Sequence, residues 1–219
     1  MKKILYFINY AINLIYPNVC GICDKICKDD LCKKCEIKLK NISKFKIDTY
    51  KNKNYKRHIY LFKYEGIIKE RLINFKFNQK AYIYRAFVNF LIKNEKICRF
   101  LKSYDIIIPV PIHYNRKVTR GYNQSALISK NIAIKLQINY DEKVLLKRIN
   151  NKPQSTKNKQ ERKNNVIGVY YIKNEEKIFN KKVLLVDDIY TTGSTVNECA
   201  KILKISGAKM IDVFTVAKD

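Results

Sequence analysis

The chain has 219 residues, of which 47% are hydrophobic and 29% are charged. This composition excludes a disordered chain, and the length allows one main domain with a small appendage. The formal net charge of +26 favours polyanionic partners such as nucleic acid, anionic lipid or phosphorylated small molecules. Because only eight of the 45 basic residues are Arg, the codon bias of an AT-rich genome explains the charge about as well as selection for phosphate binding does.

The first 17 residues start with a basic pair and continue as an apolar run. Asn9 and Asn13 interrupt the run, no small-residue cleavage site follows it, and it is shorter than the roughly 20 residues of a membrane span. Apolar residues recur at every fourth position, which indicates an amphipathic helix packed on the body of the protein: Ile4, Ile8 and Ile12. We therefore expect no membrane span and a cytoplasmic location.

Two Cys-x2-Cys pairs follow, with eight residues between them: Cys20 with Cys23, and Cys32 with Cys35. Two such pairs supply the closed shell of four thiolates that is typical of structural zinc, and thiols in a chain without a secretory signal stay reduced. A closed shell leaves no open coordination position, so the ion is expected to stabilise the fold and not to catalyse. We interpret Cys27 as a bystander, with replacement of a neighbour in the shell as the alternative, and Cys98 and Cys199 as buried apolar residues.

Residues 41–56 are polar and rich in Lys and Asn, which predicts a linker between a module at 1–40 and a main domain at 57–219. In the main domain, short apolar runs at 106–111, 183–186 and 210–217 predict buried strands. Amphipathic stretches before and between them predict helices from about residue 67, over 81–101, after residue 122 and over 195–206. This alternation predicts an α/β fold with a parallel sheet flanked by helices.

Residues 147–166 show no apolar period and carry seven basic residues against one acid. Loops of this length in compact domains are either functional or disordered. A mobile lid that binds phosphate and plain disorder therefore both fit this stretch.

The chemistry is concentrated in the stretch VLLVDDIYTTGST, which covers residues 183–195. A buried strand ends in two adjacent acids, Asp187 and Asp188, and small polar residues then open a helix: Thr191, Thr192, Gly193, Ser194 and Thr195. Backbone N–H groups and hydroxyls at a helix N-terminus bind phosphate, and glycine permits close approach. The acids can accept hydrogen bonds from ribose hydroxyls and help to hold magnesium. The alternative is a strand followed by an ordinary helix cap.

This stretch resembles the signature of the type I phosphoribosyltransferases, and the chain as a whole resembles the ComF family of competence-associated proteins. The likeness also includes the cysteine module and several blocks in the same order: YEGIIKERLINFKF (64–77), PVPIHYNRKVTRGYNQ (109–124), QERKNN (160–165) and SGAKMIDVFTVA (206–217). The resemblance implies a phosphoribosyltransferase fold that binds phosphoribosyl diphosphate with magnesium. It also implies a role in DNA uptake, with single-stranded DNA and a competence helicase as partners.

Carried onto this sequence, the resemblance assigns Asp187 and Asp188 to the ribose hydroxyls and residues 191–195 to the 5'-phosphate. It places a diphosphate-facing loop at Arg116, Arg120 and Gly121, with Arg120 as the side chain expected to act. Arg162 and Asn165 match the mobile-loop pattern. The sequence departs from the pattern at three places: Asn151, Lys157 and residues 78–80.

Three functions fit these observations. The first is a phosphoribosyltransferase that acts on an unidentified nitrogen acceptor and has no role with DNA. The second is a protein of the DNA-uptake machinery that binds single strands, since the positive charge and the many Tyr and Phe residues suit nucleic acid. The third is a scaffold that binds the ligand without turnover.

Overall fold

A computed structural model of the chain describes residues 17–148 and 168–219. Its main feature is a six-stranded sheet in the order β1-β2-β8-β7-β3-β4, in which every neighbouring pair is parallel except β1 with β2. A separate antiparallel pair is formed by β5 and β6. The strands are β1 (Lys46–Thr49), β2 (Arg57–Lys63), β3 (Ile106–Pro109), β4 (Asn139–Tyr140), β5 (Leu145–Lys147), β6 (Tyr170–Ile172), β7 (Lys182–Tyr190) and β8 (Met210–Lys218).

Helices flank the sheet, and a 3-10 turn at Glu175–Lys177 precedes β7. The helices are α1 (Lys33–Ile42), α2 (Gly66–Phe77), α3 (Ile83–Ile92), α4 (Glu95–Leu101), α5 (Tyr114–Arg120), α6 (Gln124–Leu136) and α7 (Ser194–Ile205). The predicted α/β class with a mostly parallel sheet between helices is confirmed. The predicted helix over 81–101 is two helices, because Asn94 caps the N-terminus of α4 by accepting a hydrogen bond from the backbone of Ile97.

The apolar residues of the central strands alternate between two cores, one on each face of the sheet. In β7, Leu184 and Val186 belong to the core that also contains α2, α3 and α6. Val183 and Leu185 belong to the core beneath α7. Burial on both faces explains why these strands are continuous apolar runs in the sequence.

The linker predicted over residues 41–56 is wrong in two respects, because α1 continues to Ile42, and because β1 occupies 46–49 and pairs with β2. Ile47 is the only strongly apolar residue of this strand, and an edge strand with mostly exposed side chains has too little apolar periodicity to be recognised. The proposed division into 1–40, 41–56 and 57–219 otherwise stays a prediction.

Two predicted features lie outside the described residues. They are the N-terminal amphipathic helix and most of the basic loop over 147–166, with Asn151, Lys157, Arg162 and Asn165. Within the described ranges, every helix is too short or too polar to span a bilayer.

Candidate functional site

The two adjacent acids lie at the carboxyl end of β7, where they line a cavity of about 270 Å³. Asp188 is 6% exposed, and Asp187 is half-buried. The hydroxyl of Ser125, near the start of α6, donates to Asp187 Oδ1 at 2.7 Å, and the backbone N–H of Asp188 donates to the same oxygen at 2.9 Å. These contacts fix the Asp187 carboxylate at the cavity wall. The parallel sheet therefore places both acids where ligands bind in open α/β folds, beyond the ends of the strands.

The electrostatics of the cavity favour an anion. Four cationic side chains line it, against the two carboxylates: Lys76, Arg116, Arg120 and Lys147. Burial, and then the charge of Arg116, lowers the pKa of Lys147. Burial, and again Arg116, lowers the pKa of Arg120. The positive charges in the cavity thus repel one another, and a bound anion would reduce this repulsion.

Burial, reinforced by the negative charge of Asp188, raises the pKa of Asp187 to about 7. The hydrogen bond from Ser125 opposes this shift but does not cancel it. A bound cation would favour the ionised carboxylate. Carboxylate oxygens are ligands that magnesium prefers, so this pair fits a magnesium-bound diphosphate.

The small polar loop between β7 and α7 has one residue that must be glycine. Gly193 has a φ of +71°, and a Cβ there would overlap the ring of Tyr190. Thr191 and Thr195 line the cavity directly. The hydroxyls of Thr192 and Ser194 instead bond to each other at 2.9 Å, which holds the loop at the start of α7.

The two arginines predicted at the diphosphate loop lie on α5, a short helix after β3, and both line the cavity. The Arg120 guanidinium lies 5.3 Å from the centre of the Phe77 ring and donates to Gln124 Oε1 at 3.4 Å. Gly121 ends the helix with a φ of +78° and does not line the cavity. The structure thus brings Arg116 and Arg120 to the acids, and Gly121 provides the turn after them.

Sequence reasoning missed several cavity residues: Tyr64, Lys76, Ser125 and Tyr170. A further cavity residue, Lys147, is the first residue of the basic stretch for which a phosphate-binding lid and plain disorder were both predicted. These five residues come from five different parts of the fold, and Lys147 and Tyr170 stand on the paired strands β5 and β6. A single lysine carries no signal in a chain so rich in lysine, and only packing reveals which ones face the cavity.

The four predicted metal ligands are brought together. The sulfur atoms of Cys20, Cys23, Cys32 and Cys35 all lie within 4.8 Å of one another. Sulfurs about 2.3 Å from a tetrahedral ion would lie about 3.8 Å apart, so the cluster fits a four-thiolate site after a small contraction. Burial raises the pKa of the Cys20 thiol, but backbone N–H groups, with Cys32 first, outweigh it and lower the pKa to about 7. Cys27 stays outside the cluster and donates to the carbonyl of Asp29 at 2.6 Å.

The cysteine module is docked on the main domain. Asp24, in the turn after Cys23, accepts hydrogen bonds of 2.8 Å from Arg71, Lys80 and Tyr82. Burial opposes ionisation there, but these donors hold the pKa of Asp24 well below its usual range. The 78–80 stretch, which departs from the expected turn, therefore supplies one of the docking contacts.

Comparison with known proteins shows which family the chain resembles. The sequence model of the phosphoribosyl transferase domain family matches residues 123–219, which hold β7, the acids and the loop. Competence protein ComFC of Streptococcus pneumoniae is 30% identical over 162 residues, covering 74% of this chain and 68% of that protein. The chain has a phosphoribosyltransferase-like domain. It belongs to the ComF family of competence proteins.

Two further similarities are weaker or less complete. Competence protein F of Haemophilus influenzae is 34% identical over 152 residues, covering 66% of this chain and 65% of that protein, just under two thirds of its length. The crystal structure of adenine phosphoribosyltransferase from Thermoanaerobacter pseudethanolicus covers 84% of this chain and 99% of its own, with 13% identity and a TM-score of 0.40. A structural likeness at this level carries no weight by itself.

Proposed function

We propose that this protein binds phosphoribosyl diphosphate together with magnesium in the cavity at the end of β7. The observation that carries the proposal is the meeting of Asp187 and Asp188 with Thr191, Thr195 and four cationic side chains around one cavity. Acids alone would repel a phosphate, and cations alone would not orient a sugar. Their combination suits a ligand that carries both hydroxyls and phosphates.

In this proposal the carboxylates accept hydrogen bonds from the vicinal ribose hydroxyls. The loop from Thr191 to Thr195 holds the 5'-phosphate at the N-terminus of α7. Arg116 and Arg120 face the diphosphate, with magnesium neutralising part of its charge. Zinc, held by the four thiolates, is proposed as the ion of the cysteine module, with a structural role.

We also propose that the protein acts in DNA uptake in the cytoplasm and binds single-stranded DNA. The support is the competence designation of the relatives, the net charge of +26, and the need of the cysteine thiols for a reducing compartment. The helicase partner implied by the family resemblance stays a prediction.

Isothermal titration calorimetry tests the sugar site. Phosphoribosyl diphosphate titrated into the wild-type protein with magnesium should give saturable heat. Asp187→Asn/Asp188→Asn should weaken binding by at least tenfold, because two charged acceptors of hydrogen bonds are lost, each contributing roughly 1.5–3 kcal/mol. Asp29→Asn/Glu176→Gln removes two carboxylates that do not line the cavity and serves as the charge-matched control. The absence of heat with folded wild-type protein would end the proposal.

A second candidate is transfer of the phosphoribosyl group to a nitrogen acceptor. It is favoured by the raised pKa of Asp187, which lets the carboxyl exchange a proton near neutral pH, and by the apolar wall of Val110, Pro111 and Ile112, on which a flat acceptor could lie. Diphosphate release in the presence of nucleobases or amines, absent in Asp187→Asn, would establish turnover. Binding without release for any acceptor would leave a ligand-binding protein.

A further inference from the structure

A second groove, of about 300 Å³, lies beside the start of β8 and is separate in its lining from the cavity at the end of β7. The loop before β2, the last turn of α7 and the first residues of β8 form its walls. We call it the lysine groove, and it is lined by Tyr50, Lys53, Asn54, Tyr55, Lys56, Lys204, Ala208, Lys209, Met210 and Ile211. Four of these ten residues are Lys, and none is acidic.

The four ammonium groups of the lysine groove are not neutralised by the rest of the described chain. Among residues 17–148 and 168–219, no salt bridge involves Lys53, Lys56, Lys204 or Lys209. The acid next to the groove in sequence, Asp212, is fully buried and pairs with Arg57 at 2.6 Å. Glu175, on the 3-10 turn, accepts from the Ser206 hydroxyl at 2.8 Å. The Ser206 hydroxyl does not cancel the charge of Glu175, so within the described residues the groove carries an excess of positive charge, namely four ammonium groups without an ion-pair partner.

The loop that carries two of these lysines is held in place before any ligand binds. The backbone N–H of Asn54 donates to Asn197 Oδ1 at 2.9 Å, and the Asn54 side chain donates to the Asn197 carbonyl at 3.4 Å. The backbone N–H of Lys56 donates to the Ile211 carbonyl at 2.9 Å. Because the loop is anchored to both α7 and β8, binding would not have to order it.

An exposed aromatic ring packs on the residue that precedes the groove residue Ala208. The side chain of Phe179 is 68% exposed, and its ring packs over Gly207, where a Cβ would come within 2.7 Å of it. Gly207 precedes the groove residue Ala208. Exposure of the apolar Phe179 ring to water is unfavourable. A base stacked on the ring would remove part of its surface from water. Tyr50, half-buried, adds a second ring inside the groove.

We propose that the lysine groove binds the backbone phosphates of single-stranded DNA and that Phe179 stacks on one of its bases. Lysines in an open groove act as point charges that follow a flexible backbone, and an aromatic ring is useful only where bases are unpaired. The groove has neither an arginine nor a helix N-terminus, the groups that usually fix a single phosphorylated small molecule. This inference rests on the proposed role with DNA and is independent of the sugar site.

The test compares two full-length variants with the same change of charge. One is Lys53→Gln/Lys56→Gln/Lys204→Gln/Lys209→Gln. The control removes four exposed lysines on α4, on α6 and just after α4, which form no salt bridge among the described residues: Lys96→Gln/Lys102→Gln/Lys130→Gln/Lys135→Gln. Fluorescence anisotropy with a labelled oligonucleotide measures affinity from low to high salt. Circular dichroism confirms that each variant is folded.

The groove variant should lose at least tenfold in affinity, and its salt slope should fall by about 0.7 for each phosphate contact removed. The control should keep the wild-type slope. Phe179→Ala should weaken binding on the order of tenfold, and Phe179→Tyr, which keeps a stacking ring, should restore it. Equal losses in both lysine variants would overturn the inference, as would full displacement of the oligonucleotide by an equimolar mononucleotide or equal affinity for duplex DNA.

Failure of this inference is distinguishable from failure of the proposed function. If the groove variant still binds phosphoribosyl diphosphate but not DNA, the inference stands on its own. If the wild type binds DNA and the groove variant binds it equally well, the role with DNA survives but the groove is not its site. If the wild type binds no single-stranded DNA near physiological salt, both the role with DNA and the inference fall, while the sugar site is judged by calorimetry alone.

Discussion

The cysteine cluster and the cavity at the end of β7 are built in opposite ways. All four thiols of the cluster come from the segment between Cys20 and Cys35, and their spacing alone brings them together. The cavity takes its walls from segments as distant as Tyr64 and Thr195. A site whose groups are close in the chain can be recognised as a whole. When a site is assembled by packing of distant segments, only its longest contiguous segment can be recognised in the sequence.

The two regions also differ in what holds them. The buried residues of the cysteine module, among them Ile22 and Leu39, belong to the same core as Phe62 and Leu184 of the sheet. From residue 17 onward, the module therefore shares its core with the sheet, and Asp24 ties it to α2, the helix that carries the cavity residue Lys76. The cavity, by contrast, depends on hydrogen bonds and charges at the rim of the sheet.

Loss of the proposed metal is expected to have the largest effect. It would break this comparison if the module unfolded alone. Cys35→Ser should release the ion and lower the free energy of unfolding by several kcal/mol, because a structural metal contributes folding energy directly. Since the core is shared, the whole chain should unfold in one transition. Metal analysis and denaturant melts measure both quantities.

Cys27→Ser is the matched control, since this thiol lies outside the cluster. It should keep one equivalent of metal and the wild-type midpoint. Two separate transitions in Cys35→Ser would show that the module is independent of the sheet.

Gly193→Ala sharpens the comparison at the cavity. A side chain at φ +71° costs roughly 1–3 kcal/mol, and the new Cβ would also displace Tyr190. Affinity for phosphoribosyl diphosphate should fall at least tenfold, while the metal content stays unchanged. Gly66→Ala, at φ +51° with open space around it, is the control for backbone strain alone. Equal affinities in the two variants would show that the loop does not need the glycine.

The pH dependence tests the acid pair. The pKa of Asp187 is about 7 in the folded protein and about 3.9 in an unfolded chain, so folding favours the protonated form. Its contribution to stability is full below about pH 4 and is lost as the pH rises through about 7. Affinity for the magnesium complex should move the other way and increase over the same range. Asp187→Asn should flatten both profiles, measured by urea melts and calorimetry.

The smallest effect is expected from Ser125→Ala. It removes the 2.7 Å hydrogen bond to Asp187, which should cost about 1 kcal/mol, or about fivefold in affinity, and raise the pKa of Asp187 further. Ser129, one turn later on α6, is fully buried and its hydroxyl has no partner among the described residues. Ser129→Ala should therefore leave affinity unchanged. A loss of the same size in both variants would point to packing of α6 and not to the carboxylate.

The sequence by itself determined the features that are local in the chain. The apolar run of β7, the acids at its end, the glycine loop opening α7 and the cysteine spacing all follow from short-range physics: burial, helix-end polarity and ligand reach. Those features were sufficient to predict the fold class and the part of the site that is contiguous in the sequence, which is the acid pair and the loop after it.

Only the tertiary structure decided which of the many lysines face the cavity and which line the lysine groove. It also decided that Asp24 docks the cysteine module on Arg71, and that residues 46–49 form an edge strand. The edge strand depends on pairing with β2, the next strand along the chain. The others depend on segments further apart, and the loop of the lysine groove is anchored by a contact between Asn54 and Asn197, 143 residues apart. Such contacts arise when the elements pack around the two cores. Neither the composition nor the periodicity of a sequence predicts which surfaces will pack together.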